Sequence, residues 1–167
     1  MVESLNYTSD ALIEKFYKKN PKRISIEQCN EYGRKPGQKA NQEQIANILY
    51  GGDFGKKELG NIKPGDGWLF RGSGPIQITG RKNVEDFTNY YNKKFQKNLT
   101  PEEIASKLRT DMEIGVHSAC WFFAIAKNLI PLSVSDNMKA IVKKINGGFF
   151  GLNERNKYYE LCKKYIL

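Results

Sequence analysis

The feature that most constrains the fold of this chain is a glycine-rich run at residues 65–83, which contains five glycines. Glycine adopts positive φ angles at little steric cost, so such a run favours tight turns and a close approach of the backbone to a ligand. Residues 75–79 alternate apolar and polar side chains. This pattern predicts a short strand with its two isoleucines facing inward and with Gln77 and Thr79 facing outward.

The polar and aromatic side chains of this run indicate a ligand-binding surface. They combine an aromatic platform with guanidinium, amide and hydroxyl groups, and they are Trp68, Arg71, Gln77, Thr79 and Asn83. Directional groups beside an aromatic ring suit an elongated polar ligand such as a sugar chain. A surface turn whose polar face is merely solvated is the alternative interpretation of the same residues.

The run resembles the signature of the family 19 glycoside hydrolases, which are chitinases and phage-type endolysins with a lysozyme-like fold. That signature reads approximately G-D-G-W-x-Y-R-G-R-G-x-I-Q-L-T-G-R-x-N-Y. The chain departs from it at Phe70 and Val84, which replace tyrosines, and at Ser73, which replaces an arginine. The resemblance implies a mainly α-helical, lysozyme-like, two-lobed domain over residues 1–167, with a short β-hairpin or loop at the cleft.

The catalytic residues are expected from the same resemblance. An inverting glycosidase uses two carboxyl groups roughly 6.5–9.5 Å apart, one as general acid and the other as general base. The segment Glu3-Ser4-Leu5-Asn6-Tyr7 matches the second of the two glutamate segments of the family, which makes Glu3 the candidate base. The segment with the acid has no match, so we expect the chain to lack the N-terminal piece that carries it. Asp66, between two glycines, is interpreted as a turn residue.

The other site residues correspond to family positions one by one. Thr79 corresponds to the catalytic hydroxyl residue that holds the attacking water. Gln77 and Asn83 correspond to residues that bind substrate N-acetyl groups or orient that water. Asn146 corresponds to an asparagine of the far cleft wall, although a helix-terminating role suits it equally. Arg155 corresponds to an arginine near that wall, with a surface ion pair as the alternative.

Two further residues of the run are expected to bind substrate. Trp68 lies between glycines, where an aromatic side chain is a poor anchor for the core. Arg71 either binds substrate or bridges to Glu3 and positions it.

The function expected from the resemblance is hydrolysis of β-1,4 bonds in peptidoglycan, as in an endolysin or muramidase, or in chitin, with inversion. The alternative is a non-catalytic glycan-binding remnant of the fold. The formal charge of +9 and the pI near 9.4 imply attraction to polyanions, either nucleic acid or an anionic bacterial wall. Because the lysines are dispersed along the chain, we expect a solvated basic surface and no nucleic-acid partner. We expect a monomer whose partner is a peptidoglycan or chitin oligosaccharide.

Composition narrows the remaining classes. The chain has 167 residues, which fits one domain. Its three cysteines are widely spaced, which favours buried reduced thiols, and its single histidine, His117, excludes a multi-histidine metal site. We therefore expect no metal and no cofactor. No apolar run approaches the ~20 residues that span a membrane, so no membrane partner is expected. The N-terminus lacks a secretory pattern, which predicts synthesis in the cytoplasm before action at the wall.

Capping and stop signals predict a series of helices. They are expected after Thr8–Asp10 to Tyr17, over 24–32, after Asn41, over 83–95, after a capping box at Thr100, after a second box at 110–113, from Ser135 or Asp136 to a stop at Asn146-Gly147-Gly148, and over 152–166. The stretch 114–127 is apolar almost all round, which predicts a buried helix at the centre of the core.

Overall fold

The computed structural model describes residues 1–166, of which most are helical and none belongs to a sheet. The helices are α1 (Ser9–Leu12), α2 (Ile26–Tyr32), α3 (Gln42–Leu49), α4 (Gly52–Phe54), α5 (Asp66–Leu69), α6 (Arg81–Phe95), α7 (Pro101–Thr110), α8 (Met112–Trp121), α9 (Ile130–Val134), α10 (Met138–Asn146) and α11 (Leu152–Ile166). Three π-helical turns, Ile13–Tyr17, Gly55–Leu59 and Phe122–Ala126, extend α1, α4 and α8. The prediction of a mainly α-helical, lysozyme-like fold is confirmed.

The starts of several helices follow the capping signals of the sequence. Thr8 accepts a hydrogen bond from the backbone N–H of Ala11 at 3.1 Å, and Asn41 caps α3 in the same way. Thr100 and Glu103 form the predicted capping box, with proline at the first helical position. These side-chain oxygens satisfy N–H groups that the first turn of a helix leaves unpaired.

The chain divides into two compact units, Met1–Ala119 and Cys120–Leu167. In the first unit, the helices α1 to α3 and the N-terminal segment enclose a cluster of fully buried side chains: Leu5, Leu12, Ile24, Cys29, Ile45, Ala46 and Leu49. The burial of Leu5 anchors the segment that carries Glu3. In the same unit, α6 and α7 bury Phe87, Ile104 and Leu108.

The second unit contains α9, α10 and α11. Asn137 caps α10 by accepting a hydrogen bond from Ala140 at 3.0 Å, and Gly147, with φ of 71°, ends that helix as its sequence predicts. The predicted start at Ser135 or Asp136 is wrong by a few residues, because Asp136 has a φ of 57° and precedes the cap. Among residues 1–166, none of the helices combines the length and the apolar character needed to cross a bilayer.

The prediction that residues 114–127 form a buried helix at the centre of the core is wrong. Val116 and Ile125 are 49% and 53% exposed, and Cys120 is also exposed. Only one stripe of α8, which includes Ile114 and Ser118 at i,i+4 spacing, is buried. This helix therefore has apolar side chains on most of its sides, but other residues pack against only one of them.

Three smaller predictions also need correction. Buried thiols are confirmed for Cys29 alone, since Cys162, like the thiol of α8, is exposed. The second capping box does not form, because Thr110 ends α7 and Asp111 caps α8 by accepting a hydrogen bond from Ile114 at 3.2 Å. Residues 75–79 do not form a strand, because residues 74–77 form a turn and Ile78 makes only a single bridge, to Ser73.

Candidate active site

The glycine-rich run is held in place by a buried ion pair between Asp66 and Arg81. Asp66 is only 2% exposed and accepts two hydrogen bonds from the guanidinium, at 2.7 Å and 2.9 Å. Its Oδ2 atom also accepts the backbone N–H groups of Ile62 and Lys63 at 3.0 Å and 2.9 Å. The interpretation of Asp66 as a turn residue is therefore incomplete, because its side chain ties the start of α5 to the start of α6.

The charges of this pair are stabilised by each other. Burial alone would raise the pKa of the Asp66 carboxyl, but hydrogen bonds from Arg81 and from the backbone outweigh burial and hold that pKa below its usual range. The pKa of Arg81 is raised, chiefly by its hydrogen bond to Asp66. Arg81 also donates to Glu102 at 2.9 Å. Both groups are thus ionised at neutral pH.

Two glycines allow the connection before the run to contact the start of α6. Gly60 and Gly80 have φ angles of 68° and 92°. A Cβ atom on Gly60 would lie 2.9 Å from the Cβ of Lys82, and one on Gly80 would lie 2.7 Å from the carbonyl oxygen of Leu59. The close backbone approach predicted for this region is therefore present, although here it joins two parts of the protein to each other.

Glu3 and Thr79 lie on either side of Gly72. Antiparallel bridges pair Val2 with Ser73 and Ser73 with Ile78. In this register, Glu3 and Thr79 both lie opposite Gly72. Residues directly opposite each other in antiparallel segments face the same side, at a spacing of about 4.8 Å between neighbouring segments, so the two α-carbons are on the order of 10 Å apart. We call Glu3, Gly72 and Thr79 the Gly72 row.

Both carboxylate oxygens of Glu3 are hydrogen-bonded. The hydroxyl of Tyr50 donates to Oε1 at 2.6 Å, and the backbone N–H of Gly72 donates to Oε2 at 3.1 Å. Burial, followed by the hydrogen bond to Glu3, raises the pKa of Tyr50, so this phenol remains a donor at any physiological pH. Two donors from different elements therefore fix the orientation of this carboxylate.

Gln77 lies next to the carboxylate, and Gly72 makes room for both side chains. A Cβ atom on Gly72 would lie 2.8 Å from Gln77 Oε1 and 3.2 Å from Glu3 Oε2. Gln77 has a φ of 56°, and its Nε2 atom donates to the carbonyl of Gly74 at 2.9 Å. The amide of Asn83 donates to the carbonyl of Thr79 at 2.8 Å, so Asn83 supports the backbone of that residue.

Trp68 and Arg71 form a stacked pair on α5 and the residues that follow it. The guanidinium carbon of Arg71 lies 3.3 Å from the centre of the indole ring, and Nη1 donates to the carbonyl of Trp68 at 2.6 Å. Trp68 is partly buried against the cluster of the first unit, so the expectation that it is a poor core anchor is wrong.

Arg71 does not bridge directly to the candidate base. Within residues 1–166, no ion pair joins Arg71 to Glu3, although the charges of Glu3 and Glu43 oppose the lowering of the Arg71 pKa by burial. The buried Nε atom of Arg71 has no hydrogen-bond partner among the described residues. One donor of this guanidinium is thus unused.

Ser73, which replaces the second arginine of the signature, is buried and contacts an arginine from another helix. Its hydroxyl donates to the carbonyl of Arg71 at 2.9 Å and accepts from Nε of Arg109 at 3.2 Å. Arg109 also donates to the carbonyl of Leu69. Burial, and to a lesser extent the charge of Arg71, lowers the pKa of Arg109 to about 10. The Arg109 guanidinium of α7 therefore holds the run in place at Leu69 and Ser73.

Asn146 and Arg155 belong to the second unit. Asn146 is the last residue of α10, and its amide donates to the carbonyl of Phe150 at 3.0 Å, which matches the helix-terminating interpretation. Arg155 is exposed and lines an apolar cavity of about 410 Å³ within this unit, and the described residues provide no ion pair for it. Their roles in substrate binding stay predictions.

The chain is similar to a glycosyl hydrolase family 19 domain-containing protein of Haemophilus influenzae, with 32% identity over 157 residues. This likeness supports family 19 for the chain. The aligned residues are 94% of this chain, which spans 66% of the length of that relative. No family model matches the chain. That residues 1–167 form one family 19 domain stays a prediction.

Sequence reasoning missed the residues that hold Glu3 and the glycine-rich run in place. Tyr50, directly after α3, donates to Glu3, and Arg109 of α7 donates to Leu69 in the run, over sequence separations of 47 and 40 residues. The ion pair of Asp66 and Arg81 was also missed, because Asp66 was interpreted as a turn residue. An aspartate and an arginine near the two ends of one glycine-rich run are the signal that could have indicated this pair.

Proposed function

We propose that this chain acts as a family 19 glycoside hydrolase on peptidoglycan, with Glu3 as its general base. In this proposal it cleaves β-1,4 bonds beside N-acetylated sugars with inversion. The family likeness supports the class of reaction. The observation that carries the proposal is the Gly72 row. Two hydrogen-bond donors fix the Glu3 carboxylate, and the Thr79 hydroxyl belongs to the segment on the other side of Gly72.

The row has the groups needed to activate a water molecule. The hydroxyl of Thr79 donates to the carbonyl of Gln77 at 3.0 Å, which leaves its lone pairs free to accept an O–H from water. The other proton of that water passes to Glu3 as the oxygen attacks the anomeric carbon. Protonation of the leaving oxygen requires the general acid, which the family pattern assigns to an earlier glutamate segment.

Charge favours peptidoglycan over chitin as the substrate. The chain carries a formal charge of +9, whereas chitin is neutral and the bacterial wall is anionic. In the same proposal the chain acts as a monomer at the cell wall after synthesis in the cytoplasm, without a cofactor.

Glycan binding without turnover is the second candidate function. The described contacts that favour it are those of the Gly72 row, which can hold a sugar chain by hydrogen bonds whether or not a bond is cleaved. It predicts saturable binding of N-acetylglucosamine oligomers with no new reducing ends.

The test measures new reducing ends from purified peptidoglycan and from chitin oligomers. It uses the 167-residue chain and, if the coding frame continues upstream of Met1, the same chain with those residues added. Glu3→Gln should abolish turnover by the active form, while the matched control Glu58→Gln, at an exposed glutamate, should not. Turnover of chitin alone would refute the substrate. Binding with no turnover by either form would favour the second candidate function, and neither binding nor turnover would refute both.

A further inference from the structure

Two cavities of the first unit meet at Gly51, Gly52 and Asp53. One has a volume of about 910 Å³ and is bordered by α3, the turn after it and residues 61–65. The other has a volume of about 290 Å³. Together they are lined by four basic side chains and one acid, namely Lys22, Arg23, Lys56, Lys63 and Asp53. We call this surface the basic groove.

Most of the charge in the basic groove is not neutralised by the protein. Among the described residues, no ion pair involves Lys22, Lys56 or Lys63. The charge of Lys63 contributes to the lowered pKa of Glu102, after the dominant hydrogen bond from Arg81. The groove can therefore offer positive charge to a ligand.

Arg23 has a structural role at one end of the groove. Its Nε atom donates to the carbonyl of Leu49 at 2.7 Å, and its guanidinium lies 3.8 Å from the centre of the Phe54 ring. We therefore assign ligand contacts to the lysines and to Asp53, and not to Arg23.

The basic groove adjoins the candidate active site through α3. Gln44 and Asn47, three residues apart on this helix, line the larger cavity. The side-chain oxygen of Asn47 accepts the backbone N–H of Trp68 at 2.8 Å, which leaves its NH₂ group for a ligand. Tyr50, one helical turn further on, donates to Glu3. A ligand that extends along this helix can thus reach from the groove to the carboxylate.

We propose that the basic groove binds the peptide that peptidoglycan carries on its glycan strand, beside the bond held at Glu3. This inference rests on the proposed function and deepens it. Such a peptide has free carboxylates, a free amine and several amide groups. The lysines would pair with its carboxylates, Asp53 with its amine, and the amides of Gln44 and Asn47 with its peptide bonds.

The acid in the groove distinguishes this ligand from other anions. A polymer of phosphodiesters has negative charge but no amine, so it would meet Asp53 with repulsion. Chitin carries neither negative nor positive charge, so the lysines would add nothing to its binding. A zwitterionic peptide is the ligand that uses both signs of charge.

The first experiment compares two glycan probes by calorimetry at low salt. One is the disaccharide of N-acetylglucosamine and N-acetylmuramic acid with a tetrapeptide attached, and the other is the same disaccharide without the peptide. The double variant Lys56→Gln/Lys63→Gln should weaken binding of the first probe by about tenfold, as expected for the loss of two solvent-exposed ion pairs. It should leave binding of the second probe unchanged.

The matched control is Lys93→Gln/Lys97→Gln, which removes the same charge from two exposed positions that line neither cavity. It should bind both probes as the unmodified chain does. An equal loss of affinity in the control would show that total charge, and not the groove, attracts the peptide, and would overturn the proposal.

A second experiment tests the contact with Asp53. Acetylation of the free amine of the tetrapeptide should weaken binding to the unmodified chain but not to Asp53→Asn. Equal effects on both proteins would contradict an amine contact at this residue.

The failures of the two proposals are distinguishable. If the peptide-free disaccharide and the chitin oligomers bind but the peptide adds no affinity, the groove proposal is wrong and the proposed glycan site stands. If neither glycan binds, the glycan site is wrong. If poly(glycerol phosphate) competes with the tetrapeptide probe and binds more tightly than it, the groove takes a phosphate polymer, and the peptide proposal is overturned.

Discussion

The sharpest prediction concerns the buried pair of Asp66 and Arg81. We consider the substitution Asp66→Asn, which keeps the size of the side chain and removes its charge. If the amide oxygen takes the position of Oδ2, it can still accept from Ile62, Lys63 and Nε of Arg81. The amide NH₂ then faces Nη2 of Arg81, where two donors meet and no hydrogen bond can form.

The cost of this substitution follows from burial. The side chains of Asp66 and Arg81 are 3% and 7% exposed. The arginine would therefore keep a buried charge, and its remaining partners would be two more exposed glutamates, Glu102 at 2.9 Å and Glu85 at 3.5 Å. Breaking a buried ion pair by removing one partner costs about 3–5 kcal/mol of the free energy of unfolding. The exposed control Asp86→Asn should change it by less than about 0.5 kcal/mol.

The dependence on pH gives this prediction a distinct signature. The pKa of Asp66 is lowered in the folded state, so its contribution to stability is present above its unfolded pKa and is lost as pH falls through its folded pKa. The difference in unfolding free energy between the unmodified chain and Asp66→Asn should be constant above about pH 5 and should shrink below about pH 4.

Urea denaturation, followed by circular dichroism across this pH range, measures the difference. A loss below about 1 kcal/mol at neutral pH would contradict this prediction, because it would mean that the charge of Arg81 is still compensated without Asp66. A difference that stays constant at roughly pH 3 would also refute it, because the charge of the carboxylate would then not be its source.

Three further predictions concern the site and the thiols. Tyr50→Phe should lower the free energy of unfolding by about 1.5–3 kcal/mol, and a double-mutant cycle with Glu3→Gln should show coupling; additive effects would contradict the hydrogen bond. Gly72→Ala should displace the side chains beside it and weaken binding of chitin oligomers by about tenfold or more, at a cost of about 1 kcal/mol in stability, and unchanged affinity in a titration would contradict the crowding. Cys120 and Cys162 should react with a thiol reagent in the folded protein while the third, buried thiol reacts only on unfolding; mass spectrometry of the labelled chain counts them.

The sequence predicts best what depends on neighbouring residues. The caps at Thr8, Asn41 and Thr100 were predictable because each oxygen and the N–H group that it meets are three residues apart. The end of α10 at Gly147 was predictable because its φ of 71° favours glycine.

Contacts between distant parts of the chain were not predictable in this way. The bond from Tyr50 to Glu3 and the pair of Asp66 and Arg81 depend on how helices pack, which no local pattern encodes. The apolar stretch 114–127 shows the same limit, since composition does not say which sides of a helix are covered. The alternation at 75–79 predicted a strand, but the positive φ of Gln77 makes it a turn.

The residues of the candidate site also differ in whether the sequence alone could identify them. The residues of the glycine-rich run could be named from the family pattern, and so could Glu3. Their supports could not be named, because Arg109 and Tyr50 act through hydrogen bonds that depend on the folded arrangement.

The close packing of Gly60 against Lys82 and of Gly80 against Leu59 has a consequence for engineering this protein. A methyl group at either position would collide with the facing segment, so neither glycine can be replaced unless the joint between the two segments opens. A directed-evolution library intended to change ligand preference should therefore keep both positions fixed. Diversity belongs instead at open side chains such as Gln44 and Lys56, where new shapes can be sampled without disturbing the backbone beneath Glu3.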